Sequence, residues 1–517
     1  MLGTARCPRR RLAVLVVALL AAALAVAGCA GSSAAGGGTD PASVVPAAAP
    51  LYAEAVLGGN GKEQADAQAA LAKILRTSDP QGQILKLFDR GNVRFARDIE
   101  PWIGERVGAA ALTLGRDGDK IVVAASRDNA QAQAALGRIA PGATERTYRD
   151  VSYRVDTNSH GFAAGVVGDN VVLGTENGLK AAIDASKGAS LAEAGALKQG
   201  RSTVRQERSA FLYVDVAGLL RQALGNAGGG GGQLAPFIDP IAQALPKTFA
   251  AALDAEPGLV RLDSAAFGNG GGAPAAGSGA DALAALPGDA WLGVGVGELG
   301  QTVNGFLDHV SKTSPLAGVG VQALLGQAQQ QLGLDIRQDL LPWMGDAGVY
   351  LAGSSADDPR VALLVASKDP AATKRTVAAL QRLAQRGGDV TALNAAGVDS
   401  GFAVKRSGKS DLLVATGGDR FVVANSRAAL TEALASGGAR LGDTPAFRDA
   451  ASKLGSGIRP AFFVDVQKLS GIAASKPDHG GDHGRELREY LGAFGAVVGG
   501  AKRDGDVTHG EAVATLP

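Results

Sequence analysis

The chain has 517 residues, 46% of them hydrophobic and only 4% aromatic, with a formal charge of +1. Four arginines, Arg6, Arg9, Arg10 and Arg11, crowd the N-terminus, so the chain without that end stands at about −3. A nearly neutral chain with no basic stripe is not built for nucleic acid, and its length calls for more than one hydrophobic core.

Residues 1–28 read as a targeting segment. The arginines form a basic head, and Leu12 to Val26 is an unbroken apolar run, shorter than the roughly 20 residues that span a bilayer. It ends in Val26-Ala27-Gly28-Cys29, an apolar residue, two small ones and a cysteine, which resembles the lipobox of bacterial lipoprotein signals. The resemblance implies cleavage between Gly28 and Cys29, a thioether-linked lipid on Cys29 with an N-acyl chain such as palmitate, and residence on the outer face of the cytoplasmic membrane. Two hydrocarbon signals suffice for stable anchoring. Arg9-Arg10-Arg11-Leu12 leaves both the general and the twin-arginine export routes open. Cys7 is the only other cysteine and leaves with the signal, so the mature chain has no disulfide and no thiol chemistry. Residues 29–49, rich in Gly, Ser, Ala and Pro, read as a flexible tether.

Beyond the tether, Leu51 to Leu57 predicts a strand, and Lys62 to Arg76 an amphipathic helix begun by Asn60 with Glu63 three residues on. In Asp98-Ile99-Glu100-Pro101-Trp102-Ile103-Gly104 a helical stretch ends: proline cannot continue it, tryptophan supplies a large body to bury, and glycine permits the turn into the next strand. Val107 to Leu114 and Ile121 to Ala125 predict a hairpin, followed by a helix capped by Asp128. Phe162 to Val167 and Val171 to Gly174 turn tightly around Gly168-Asp169-Asn170. A helix, a strand through Phe211 to Val216, another helix and a closing hairpin of Phe249 to Leu253 with Val260 to Ala266 complete the unit.

The chain then repeats itself. The Pro-Trp motif recurs as Asp339-Leu340-Leu341-Pro342-Trp343-Met344-Gly345, 241 residues on, and Ser126-Arg127-Asp128 recurs as Ser367-Lys368-Asp369 at the same offset. Gly168-Asp169 and Tyr213-Val214-Asp215-Val216 recur at an offset of 250, as Gly418-Asp419 and Phe463-Val464-Asp465-Val466. The two offsets imply an insertion of nine residues after Asp369. The third tryptophan, Trp291, is expected to open the second copy where Tyr52 opens the first. The domains expected are therefore a first unit over 50–269, a Gly/Ala/Ser linker over 270–285 and a second unit over 286–517. Sequential hairpins interleaved with helices give the class α+β, a tandem duplication of a mainly antiparallel sheet packed with helices. Duplication, Pro-Trp motif and lipobox together resemble the bacterial secreted lipoprotein family known as domain of unknown function 3352. The resemblance implies no reaction and no catalytic residue, and the motif residues Asp98, Pro101, Trp102, Gly104, Asp339, Pro342, Trp343 and Gly345 read as structural.

Candidate chemistry is sparse. Gly295-Val296-Gly297-Glu298-Leu299-Gly300 fits the dinucleotide pattern between a strand and a helix, but the parallel strand ending in an acidic residue that such a site needs does not follow. Gly408-Lys409-Ser410 lacks the glycine five positions earlier, where Ala403 stands, and reads as a turn. His479, Asp482 and His483 have the side chains to grip a divalent metal, yet the first copy has only glycines there, Gly228 to Gly232, which favours a solvated loop. Asp215 and Asp465 interrupt apolar strands, either as helix caps or as buried carboxylates with a task. No cofactor and no enzyme activity is expected. The reading is a membrane-anchored module that binds an envelope protein or wall polymer across a groove between the units. The alternatives are a carrier of lipid or glycolipid in an apolar cavity and a cryptic envelope hydrolase using unrecognised carboxylates, for which Asp215 and Asp465 are the positions to test.

Overall fold

Strands of four to nine residues, most of them apolar, give a strand-rich chain, and the two copies pair their strands in one order. The computed structural model describes residues 39–57, 61–80, 82, 94–115, 118–139, 142–156, 162–225, 245–268, 279–313, 315–355, 359–407, 410–435, 437–474 and 490–517. They form two compact units that divide between Phe267 and Gly268.

In unit 1 the strands are β1 (Leu51–Val56), β2 (Ile103–Ala111), β3 (Lys120–Ser126), β4 (Thr144–Tyr148), β5 (Val151–Asp156), β6 (Phe162–Val167), β7 (Asn170–Thr175), β8 (Ala210–Asp215), β9 (Thr248–Glu256) and β10 (Leu259–Phe267). They lie in the order β4-β5-β6-β7-β3-β2-β1-β8-β9-β10, every neighbour antiparallel. In unit 2 they are β11 (Leu292–Val296), β12 (Met344–Ala352), β13 (Arg360–Ser367), β14 (Asp389–Ala392), β15 (Ser400–Lys405), β16 (Leu412–Gly417), β17 (Arg420–Ala424), β18 (Pro460–Asp465), β19 (Ala496–Asp504) and β20 (Val507–Thr515). Their order, β14-β15-β16-β17-β13-β12-β11-β18-β19-β20, is the same, again antiparallel throughout. The chain is α+β, each unit being one antiparallel sheet with helices packed on it.

The helices of unit 1 are α1 (Gly61–Leu75), α2 (Phe95–Asp98), α3 (Asn129–Ile139), α4 (Glu176–Ser186), α5 (Gly195–Thr203) and α6 (Val216–Gly225). Those of unit 2 are α7 (Ala280–Ala284), α8 (Leu299–Thr313), α9 (Pro315–Leu332), α10 (Pro370–Gln385), α11 (Arg427–Leu434), α12 (Pro445–Ala451) and α13 (Val466–Ala474). Caps fall where short polar side chains precede the helices: Asp128 accepts from the Gln131 amide at 3.0 Å and Asp369 from that of Ala372 at 2.9 Å. Trp102 packs with Ala132, Leu136 and Val171 in one core, and Trp343 with Val377, Phe402 and Phe421 in the other. The nine-residue insertion is divided: α10 has 16 residues where α3 has 11, and the turn between β14 and β15 is longer than that between β4 and β5.

Three expectations need correction. The tether does not extend to residue 49: Pro41–Val44 form a helical turn capped by Asp40, and Ala42, Val44, Val45 and Ala49 are buried in unit 1. Their apolar side chains meet a ready surface, so the Ala/Pro composition that suggested disorder instead packs. The linker likewise stops short of 285, because α7 buries Leu283 completely and the oxygen of Gly279 crowds Gly295. Trp291 lies level with Pro50 rather than Tyr52, since the Trp291 carbonyl accepts from Asp465 where the Pro50 carbonyl accepts from Asp215, both at 2.8 Å.

Candidate functional site

The Pro-Trp motif makes the same backbone contacts in both units, although the indole of Trp102 donates to the Asp98 carbonyl and that of Trp343 to the Thr376 hydroxyl. Asp98 is fully buried and accepts from the Arg94 amide at 2.9 Å and from the guanidiniums of Arg97 and Arg138. The Arg97 hydrogen bond and then the Arg94 amide hold its carboxyl well below the usual carboxylate range. Asp339 repeats the backbone bond, accepting from the Asp335 amide at 2.8 Å. Pro101 and Pro342 follow, and the carbonyls of Trp102 and Trp343 accept from Arg127 and Lys368, each at 2.8 Å. A Cβ on Gly104 would lie 3.1 Å from the Ala125 oxygen, and one on Gly345 3.1 Å from the Ala366 oxygen. The motif therefore locks a helical turn against the first hairpin of each unit, and all its members are occupied in doing so.

The other candidates separate cleanly. Asp215 accepts from the Gly218 amide and Asp465 from the Lys468 amide, both at 2.9 Å, so each caps the helix that follows. In the glycine pattern, a Cβ on Gly300 would lie 1.9 Å from the Leu341 oxygen and one on Gly295 2.1 Å from the Gly279 oxygen, so these glycines serve close backbone packing, and β11 has antiparallel neighbours on both sides. Gly28, Cys29, Gly408, Lys409, His479, Asp482 and His483 lie outside the described residues.

What the sequence reading missed is a recess of about 720 Å³ in unit 2, lined by Asp289, the end of β12 at Gly353, Ser354 and Ser355, Arg360, the start of α11 at Ser426 and Ala428, and Lys468, Gly471 and Ile472 of α13. Its size is that of sites for small organic molecules. Arg360 reaches Glu432 of α11 on one side and Asp289 on the other. Burial first, and then Asp289, pushes the Glu432 carboxyl above its ordinary range despite that partner. Asp289 is half exposed, more open than Glu432.

Unit 1 has the same elements in the same register and treats the place differently. Gln222 of α6 donates to the Leu112 carbonyl at 3.1 Å and accepts from the Leu114 amide at 2.8 Å, tying the helix to the end of β2. The strand register places Ile472 where Gln222 stands, Gly471 for Arg221, Lys468 for Gly218 and Arg360 for Asp119. In unit 1, Asp119 accepts the Thr175 hydroxyl at 2.8 Å. Unit 2 has thus lost the bridging amide and the Arg221 cation and gained the cations Arg360 and Lys468. Aligning the two halves position by position would have revealed these exchanges.

Unit 1 carries its own charge cluster. Arg201 of α5 holds Asp40 through both nitrogens, reaches buried Glu54 and lies beneath the Tyr52 ring, whose hydroxyl donates to Glu54 at 2.9 Å. Burial alone would raise the Asp40 carboxyl, but the Arg201 pair outweighs it and holds it below its ordinary value. Burial, reinforced by Glu54, drives the Tyr52 phenol well above its usual range. The cluster pins the segment that begins at Asp40 onto unit 1.

The fold defines a duplicated antiparallel α+β protein. The model of the family described as protein of unknown function (DUF3352) matches residues 12–479, and the chain belongs to that family. No curated protein matches it. Among solved structures, crystal form IV of TP0453 is 12% identical with a TM-score of 0.25, over 44% of this chain and 80% of that one. Crystal form I is 11% identical with the same score, over 44% and 78%.

Proposed function

We propose that the chain is a non-catalytic binding module of the cell envelope, lipid-anchored through Cys29 outside the cytoplasmic membrane. The observation that carries the binding reading is the recess of unit 2, open at a place that unit 1 ties shut with Gln222. Two copies of one fold, one of which has a ligand-sized space where the other bridges helix to strand, point to recognition by that copy. The two strand-end carboxylates Asp215 and Asp465 hold helix amides, which favours a capping role for them over a catalytic one.

The N-terminal pattern supports the address, and the packed segment refines it. Asp40 is fixed on unit 1, so only eleven peptide links separate it from Cys29. A fully extended chain gains at most about 3.6 Å per residue, so Asp40 lies within about 40 Å of the acylated cysteine. That reach suits a partner or ligand at the membrane surface better than one deep in the wall.

The test is native mass spectrometry of the protein isolated from its own membranes. A retained small molecule, kept by Asp215→Ala and Asp465→Ala variants, is the expected result. A bare mass, or turnover of an envelope substrate that either variant abolishes, overturns the reading.

A further inference from the structure

We infer that the recess of unit 2 is a site for an organic anion, a carboxylate or phosphate group carried on an apolar body, held by Arg360 and Lys468 with Ile472 beneath the apolar part. The inference rests on the binding-module reading but not on the lipid anchor.

The two halves exchange charged for uncharged or oppositely charged side chains at this place. At the two equivalent positions facing this place, unit 1 has Asp119 and Gly218, and unit 2 has Arg360 and Lys468. Arg221 is replaced by Gly471 beside them, so these positions go from no net charge, Asp119 and Arg221 cancelling, to two positive charges. A guanidinium presents a planar fork that matches carboxylate and phosphate oxygens, and an ammonium adds a second, mobile donor. The hydroxyls of Ser354, Ser355 and Ser426 line the same space and can donate to the oxygens of such a group.

The cations already have acidic partners, and these indicate how a ligand enters. Arg360 is held from behind by Glu432 and from the open side by Asp289. Asp289, half exposed, is the more readily displaced of the two and occupies the position that a ligand carboxylate or phosphate would take. Lys468 sits 3.6 Å from Asp465, a carboxylate that also caps α13, so its ammonium can swing to a ligand without leaving that cap unmade. The apolar half of the specificity comes from the other exchange. Gln222 in unit 1 hydrogen-bonds across this place to the end of β2, whereas the Ile472 side chain has no polar atom to bridge with and presents a buried aliphatic wall beside Gly471 and Ala428. A purely inorganic anion would leave that wall uncovered.

The experiment uses the full mature chain with Cys29→Ser, so that it stays in solution, and isothermal titration with phenyl phosphate, octyl phosphate, inorganic phosphate and vesicles containing phosphatidylglycerol. One saturable site for an organophosphate is expected, with inorganic phosphate about tenfold weaker because it buries no apolar surface. Lys468→Gln should weaken binding about tenfold through loss of a charge-assisted contact. Ile472→Gln, which supplies the side chain that bridges in unit 1, should abolish it, while Gln222→Ile leaves it unchanged. Saturable binding to vesicles alone, lost in Lys468→Gln, identifies a lipid headgroup as the source, and binding to the soluble phosphates identifies a free metabolite. The proposal is overturned if no probe binds saturably, or if binding survives both Lys468→Gln and Ile472→Gln with near-ultraviolet dichroism intact. Should it fail while protein from native membranes still retains a molecule, the binding-module reading stands and only this site is wrong.

Discussion

Tyr350 on β12 lies directly opposite Gly293 on β11, whereas at the same pair in unit 1 the ring has moved to the other strand, with Tyr52 on β1 opposite Ala110 on β2. Both rings are fully buried, and both hydroxyls donate within their own unit, Tyr52 to Glu54 and Tyr350 to the Ala429 carbonyl at 2.9 Å. One ring per pair fills the space, so the duplication conserves volume rather than residue. Tyr350→Ala should cost about 3–5 kcal/mol by opening a cavity. Gly293→Ala should cost about 1–3 kcal/mol, because its Cβ would meet Leu283 and Leu286 side chains at 2.9 Å. Urea unfolding of the Cys29→Ser protein measures both.

The two tryptophans anchor equivalent cores. Trp343 is almost fully buried and meets Phe421 edge-on at 5.5 Å. Its replacement by alanine should destabilise by about 3–5 kcal/mol, and Trp102→Ala by a similar amount. Binding to the recess should survive Trp102→Ala wherever the variant remains folded, since that core belongs to the other unit.

Acid should attack unit 1 through Glu176. The Lys180 ammonium, followed by Arg146 and Tyr153, holds its carboxyl down to about 2 from an ordinary 4.5, against burial that would raise it. A depressed carboxylate contributes stability that is complete above the ordinary value and is lost as pH falls from there through the folded value. Stability should therefore decline between about pH 4.5 and 2, and Glu176→Gln should flatten that decline in pH-dependent thermal unfolding.

The clamp on the N-terminal segment separates two effects. Arg201→Leu leaves buried Glu54 with only the Tyr52 hydroxyl and Arg208, 3.8 Å away, and should cost about 3 kcal/mol. Asp40→Ala leaves Arg201 with Glu54 and should mainly loosen the segment. Hydrogen exchange reads this at the Leu191 and Ala47 amides, which bond the Val45 and Ala189 carbonyls. Exchange at both should accelerate in Asp40→Ala while the sheet amides of β1 stay protected.

Much of the fold was legible because its signals are local. The Pro-Trp motif, the Gly168 and Gly418 turns with their left-handed glycines and the aspartate caps act within a few residues of where they are written. The hairpin of β4 and β5 was not legible, since Arg149 and Asp150 adopt left-handed conformations without a glycine to announce them and β4 is almost wholly polar and exposed. Residues 40–49 misled because composition cannot report the surface they pack on. The recess escaped for a related reason: Arg360, Lys468 and Ile472 lie over a hundred positions apart at the extremes, and only the shared register of the two halves shows that they replace Asp119, Gly218 and Gln222.

The membrane-anchored reading is tested most directly at residue 29. The N-terminal peptide of the mature protein, taken from membranes of the native host and weighed by mass spectrometry, should begin at Cys29 and carry a diacylglyceryl group with an added acyl chain. A mature peptide in which Cys29 is unmodified, or a chain that still holds residues 1–28, contradicts the account.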